Sequence, residues 1–176
     1  MTERDDGEQV YLAALAGLLH DIGKFAQRAG WGSGRHTEVG GEVVRQYVPE
    51  PWREGLYPVM GHHDCELLDR STRVVALADR LSAGERIDEA CAQPQHLQSI
   101  FCGLRTANGE ASPPRAYWPL SPLRLDEMAL FPGDAPPEAA TVAAYGDLWT
   151  GFERELAALR DAHADGEDLP VYLETL

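Results

Sequence analysis

The chain has 176 residues, 44% of them hydrophobic, which suffices for one core with a small appendage. Twenty-nine acidic against fifteen basic residues give a net charge of −14, which favours solubility and argues against a general basic coat for nucleic acid or a membrane surface. Cys65, Cys91 and Cys102 are widely spaced and form no CxxC pair, so a disulfide framework or thiolate zinc site is not expected. The N-terminus is acidic and no apolar run reaches spanning length, so neither a signal peptide nor a membrane anchor is expected, and the expected location is the cytoplasm.

Leu12, Leu15, Leu18, Leu19, Ile22 and Phe25 recur at three- and four-residue steps, which predicts one amphipathic helix from about Glu8 to Arg28, ending at Gly30. His20 and Asp21 are neighbours on it and Lys24 follows one turn later, so all three reach one spot. Gly17, one turn earlier, leaves room above that spot at a propensity cost of about 1 kcal/mol. His36 to Val48 is predicted as a second helix. Pro51 to His63 is predicted as a third, with Trp52, Leu56, Val59 or Met60, and His63 on one stripe. Arg70 to Arg86 is the fourth, with Val74, Leu77, Ala78 and Leu81 facing inward. From Ser99 the pattern changes: SIFCGLR suits a strand, the proline-rich SPPRAYWPLSP a loop, and PLRLDEMALFP a second extended piece. FPGDAPPEAA suits a linker, and a long helix runs from about Pro137 to His163. The expected fold class is mainly α, with a helical bundle over residues 1–95. A connecting region over residues 96–176 carries a small β-hairpin or extended segment and a long C-terminal helix.

The ionisable residues of the helical half stand out against this pattern. His36 opens the second helix in GRHTEVGGE, His62 and His63 close the third in VMGHHDCE, and Asp79 lies mid-helix in VVALADRLSAGER. The neighbours of Asp79 one turn away are Val75, Ala76, Ser82 and Ala83, so burying its carboxylate is expensive unless a cation meets it. Each residue alone has a plainer explanation. His36 can cap or lie on the surface, His63 can be a satisfied core histidine, and Asp79 can pair with Arg73 or Arg80. Cys65 is not expected to be a ligand. Four of the six histidines fall on this half, together with Asp79, and Lys24, beside His20 and Asp21, is the only lysine. It is this combination that favours a site.

Imidazole and carboxylate without thiolate suit one or two divalent transition-metal ions, manganese, iron, cobalt, nickel or zinc, and one aspartate can bridge two of them. Two ions about 3.5–4 Å apart clamp the attacking and leaving oxygens of a phosphoryl displacement and activate water near neutral pH. The chemistry that results is phosphoester hydrolysis.

The order HD, H, HH and D in ADRLSAGE resembles the HD superfamily of metal-dependent phosphohydrolases. AALAGLLHDIGKFAQRAG and HHD…RVVALADRLSAGER more narrowly resemble the N-terminal HD nuclease domain of the large subunit of type III CRISPR effector complexes, the III-A class especially. HLQSIFCGL, YWPLSPLRLDEMALFP and LWTGFERELAAL are similar to the segment joining that domain to a palm domain. The resemblance implies His20, Asp21, His36, His62, His63 and Asp79 as metal ligands, with Asp21 bridging. It implies that Lys24, and more weakly Arg80, contacts the scissile phosphate. Many HD enzymes carry a further histidine upstream of the doublet; nothing before His20 serves here, and the family's permuted order makes His96 the replacement to examine. In the family this domain cuts single-stranded DNA when the complex, a ribonucleoprotein with guide RNA and further subunits, has bound target RNA. The palm domain makes cyclic oligoadenylates, an activity not expected from a chain without GGDD. The chain is expected to be a piece of a longer subunit.

Two other expectations differ in kind. A phosphohydrolase acting on a small nucleotide would need its own base and sugar pocket, and a non-catalytic scaffold domain with a vestigial metal site would hold other subunits through its acidic second half.

Overall fold

The structure is a computed structural model that describes residues 3–64, 66, 69–82 and 142–176. Helix α1 spans Glu3–Leu19, α2 Ile22–Arg28, α3 His36–Tyr47, α4 Pro58–Gly61, α5 Arg70–Ser82, α6 Val142–Ala162 and α7 Leu169–Thr175. Two single 3-10 turns, Glu50–Trp52 and Glu54–Leu56, lie between α3 and α4. The described residues contain no strand, in keeping with a mainly α fold. The expected hairpin, His96, Cys65 and the boundary at residue 95 lie outside them. Among the described residues no helix is long and apolar enough to cross a membrane.

The expected single helix from Glu8 to Arg28 is two helices, broken at the polar doublet. Asp21 sits at φ −103° and ψ 8°, off the helical path, and its carbonyl accepts from the Lys24 N–H at 2.9 Å as α2 begins. The break turns the doublet aside from the apolar stripe and lets α2 set off in a new direction. Leu12, Leu15 and Leu19 of α1 are buried as the pattern predicts, whereas Leu18 is exposed.

The predicted helix from Pro51 to His63 consists of the two 3-10 turns and α4, which starts on Pro58, a residue suited to the first helical position. Trp52, Leu56 and Val59 are buried as expected, but the tighter turns shift the register, so His62 is buried at 1% exposure and His63 is exposed. The face assigned to α5 is also corrected. Thr72, Val75, Ala76 and Asp79 are the buried residues, while Val74, Leu77, Ala78 and Leu81 are exposed. The smaller side chains face inward because that side of α5 lies against α1 and α4 at the polar doublet. The Asp69 carboxylate, which accepts from the Thr72 N–H at 2.8 Å and from its hydroxyl, starts this helix.

Two apolar clusters hold the helices together. In the first, Leu12, Leu15 and Leu19 of α1 meet Val44, Val48, Trp52, Leu56, Val59, Val75 and, from the C-terminal end, Leu169 and Tyr172. In the second, Ala26, Val39, Val43 and Tyr47 meet Trp149 and Leu156 of α6, with the rings of Phe25, Trp31 and Phe152 around them. Each large side chain buried in this way is worth about 1.5–3 kcal/mol. The Trp52 indole N–H donates to the Gly166 carbonyl at 3.1 Å and the Tyr47 hydroxyl donates to Glu153, so α6 and the connection that follows it are tied to the first half by polar contacts as well.

Candidate metal centre

The break after α1, the start of α3, the end of α4 and the inner face of α5 converge on one polar patch. Gly23 lets α2 and α3 approach. A Cβ there would stand 1.9 Å from the His36 carbonyl oxygen and 2.8 Å from the Gly40 nitrogen, so only glycine permits the two backbones to touch. His36 is thereby carried beside Asp21.

The patch contains two groups of donor atoms, each drawn to within 4.8 Å: His20, Asp21 and Asp79 in one, and His36, His62 and His63 in the other. Asp21 stands between them. Its Oδ2 is 3.6 Å from His20 Nε2 and its Oδ1 is 3.6 Å from His36 Nε2. Asp79, whose side chain is 7% exposed, has its Oδ1 3.5 Å from His20 Nε2. The His62 ring lies 4.1 Å from that of His63, 5.3 Å from that of His20 and 5.9 Å from that of His36, centroid to centroid. All six residues expected as ligands are therefore brought together.

The donor set fits divalent ions. Ligands about 2.0–2.2 Å from a tetrahedral ion stand roughly 3.4 Å from one another, close to the separations seen around Asp21. The Nε2 atoms of His20, His36 and His62 are buried and make no hydrogen bond, a cost that a bound cation would remove. Two of these rings are also fixed in tautomer. His20 Nδ1 lies 2.7 Å from the Gly17 carbonyl and His62 Nδ1 lies 3.0 Å from the Pro58 carbonyl. A carbonyl only accepts, so Nδ1 carries the proton and Nε2 presents its lone pair to the patch. Gly17 thus serves through its backbone oxygen; the space beside it is open, and the room expected from its missing side chain is not what the site uses.

Electrostatics keep these groups in the ligating state. Burial, then the charge of Lys24, pushes the His36 imidazole down to about 4, against the opposing pull of Asp21. Burial also lowers His62, partly offset by its bond to the Pro58 carbonyl. Burial works to raise Asp21, but the hydrogen bond and charge of Lys24, helped by His20 and His36, hold the carboxyl below its ordinary value. His36 and His62 are thereby kept neutral and Asp21 charged near pH 7, as metal ligation requires.

Lys24 Nζ lies 2.7 Å from Asp21 Oδ2. Arg80, next to Asp79, is exposed, and Arg35 is bound to Glu38 at 3.1 Å. Sequence reasoning missed Gly23 and the two backbone carbonyls that orient His20 and His62. A glycine at the second residue of α2 was the available sign of the first, and the carbonyls leave none.

Residues 1–84, just under half of the chain, match the HD domain family. Among curated proteins the chain is similar to Ribonuclease Y of Streptococcus sanguinis, 42% identical over 98 residues that make up 53% of this chain and 18% of that protein. It is similar to Ribonuclease Y of Thermosipho melanesiensis, 42% identical over 78 residues, 44% of this chain and 14% of the relative. With Ribonuclease Y of Thermus thermophilus it shares 37% over 111 residues, 57% of this chain and 19% of the relative. The chain thus spans less than a fifth of the length of these relatives. No solved structure matches it.

Proposed function

We propose that the HD domain of this chain is a metal-dependent nuclease that hydrolyses phosphodiester bonds of single-stranded DNA, as part of a type III CRISPR effector complex. The observation that carries the hydrolytic part is the placement of Asp21, with one carboxylate oxygen towards His20 and the other towards His36. In this arrangement His20, Asp79 and Asp21 would hold one ion and His36, His62, His63 and Asp21 the other. Ions held there would activate a water near neutral pH and neutralise the charge that develops on the phosphate.

The chain's own residues supply the rest. The Gly17 and Pro58 carbonyls keep the His20 and His62 rings turned to the patch. Lys24, which rests on Asp21, would pair with a non-bridging phosphate oxygen once a substrate enters. The part played by DNA and by a guide-RNA complex is supported by the likeness of HLQSIFCGL, YWPLSPLRLDEMALFP and LWTGFERELAAL to the family's linking segment. Partner subunits would then provide the positive track that this acidic chain lacks.

A second reading, hydrolysis of single-stranded RNA, is favoured by the ribonuclease names of the relatives that match the HD stretch. Incubating the chain with manganese and end-labelled single-stranded DNA, single-stranded RNA and duplex DNA of one sequence separates the two. The leading reading predicts cleavage of the DNA strand and an intact duplex. Cleavage confined to RNA would replace it with the second, and tight saturation by a mononucleotide with no strand cleavage would favour a small-nucleotide hydrolase.

A further inference from the structure

Lys24 does more in this structure than border the patch. Its ammonium rests on Asp21 Oδ2 at 2.7 Å, and that oxygen is the one turned towards His20, 3.6 Å from its Nε2. The other carboxylate oxygen, Oδ1, is turned towards His36. The chain's only lysine therefore touches the oxygen turned towards one of the two donor groups, although its charge also bears on His36 in the other.

The groups also differ in chemistry. His36, His62 and His63 offer three imidazoles, with Asp21 Oδ1 as the charged fourth donor, a set that selects transition-metal ions. The opposite group offers one imidazole, Asp79 and Asp21 Oδ2, two of its three donors being carboxylates. By charge alone the second group should be the better trap for a dication. Lys24 would reverse that order, because its positive charge occupies Asp21 Oδ2, the oxygen that the His20–Asp79 group would offer to an ion.

We infer that Lys24 is a built-in competitor for the ion at the His20–Asp79 position, so that the His36–His62–His63 position fills first and the His20–Asp79 position fills only as Lys24 is drawn off Asp21. The inference rests on the proposed two-ion reading of the site and adds an order of filling to it. It also gives a role to substrate. An entering phosphate offers Lys24 an alternative anion, so phosphate binding and occupancy of the His20–Asp79 position favour each other. The patch would then hold its full complement of ions chiefly when a strand is present.

The test is a manganese(II) titration of the whole chain, followed by calorimetry and by electron paramagnetic resonance, which separates an isolated ion from an exchange-coupled pair. The wild type should take one ion at stoichiometric manganese and show the coupled pair only in excess. In Lys24→Met the second ion should bind on the order of tenfold more tightly while the first changes by less than about threefold, the scale on which groups touching ligands tune affinity. Lys24→Gln should behave alike, and a melt followed by circular dichroism checks that both fold. Second-ion affinity that is unchanged or weaker in both variants would overturn the inference, since Lys24 would then merely orient Asp21. Equal strengthening of both ions would also overturn it. The two-ion reading has its own controls: Asp79→Asn should remove the second ion alone and His63→Ala should weaken the first. A wild type that binds no manganese, or controls that bind both ions as it does, would overturn both readings.

Discussion

Gly23 lies against the carbonyl of His36, so closely that a Cβ would meet the oxygen at 1.9 Å. This contact joins α2 to α3 and sets the distance between Asp21 and His36. Gly23→Ala must push the helices apart, at a cost of at least about 2–3 kcal/mol, or roughly 5–10 °C in Tm for a domain of this size. It should also weaken manganese binding. At Gly17 a Cβ would meet nothing within 4 Å, and Gly17→Ala should leave Tm equal or slightly higher. Thermal melts of the two variants check the pair; equal losses would mean that the approach of α2 and α3 is not what Gly23 provides.

Metal binding should stabilise the fold measurably. An ion present at about a hundred times its Kd adds about 2.7 kcal/mol, which for a chain of this length raises Tm by roughly 5–10 °C. Asp79→Asn keeps the shape of the side chain and removes a ligand charge, so its manganese-induced shift should be smaller. Differential scanning calorimetry with and without chelator is the measurement, and an undiminished shift would return Asp79 to an ordinary ion pair.

The metal-free protein should lose stability as pH falls. His36 is pushed from 6.5 down to about 4 in the fold, so between those values the unfolded chain binds more protons than the folded one. Its contribution is complete above pH 6.5 and is lost as pH falls towards 4. His62, lowered by burial, acts in the same direction. Melts in chelator across this window should show a steeper decline for wild type than for His36→Gln. Parallel profiles would contradict the neutral state assigned to the half-buried His36.

The residues of the candidate site could be picked from the sequence because a metal would need their donor atoms, and His20, Asp21, His36, His62, His63 and Asp79 supply imidazole and carboxylate in a half otherwise patterned as packed helices. Local geometry was less so. The apolar period of α1 runs through His20 into Phe25 without a proline, and Gly17 and Gly23 on either side of the doublet are too weak a signal to place a turn there. The face of α5 was misjudged because its larger apolar residues, Leu77 and Leu81, are exposed, and the side turned to the polar patch carries Thr72, Ala76 and Asp79. The swap of His62 for His63 as the buried histidine follows from the 3-10 turns before α4, where a period of 3.6 residues no longer applies.

Nucleic-acid affinity of the isolated chain should be weak. Non-specific binding scales with the number of phosphate contacts, and several exposed arginines are already engaged: Arg35 with Glu38, Arg45 with Glu42 and Arg154 with Glu155. Single-stranded DNA should bind with a shallow dependence on ionic strength, and duplex no better. Fluorescence anisotropy against salt is the check, and tight binding with a steep slope would reveal a basic groove.

The central claim, that His20 and Asp21 hold the ions that cut a single strand, is tested most directly by the double variant His20→Ala/Asp21→Ala, assayed for manganese-dependent cleavage of single-stranded DNA with metal content measured on the same sample. Cleavage should be abolished and bound manganese lost while the helical circular dichroism signal persists. Unchanged turnover with the metal still bound would contradict the claim.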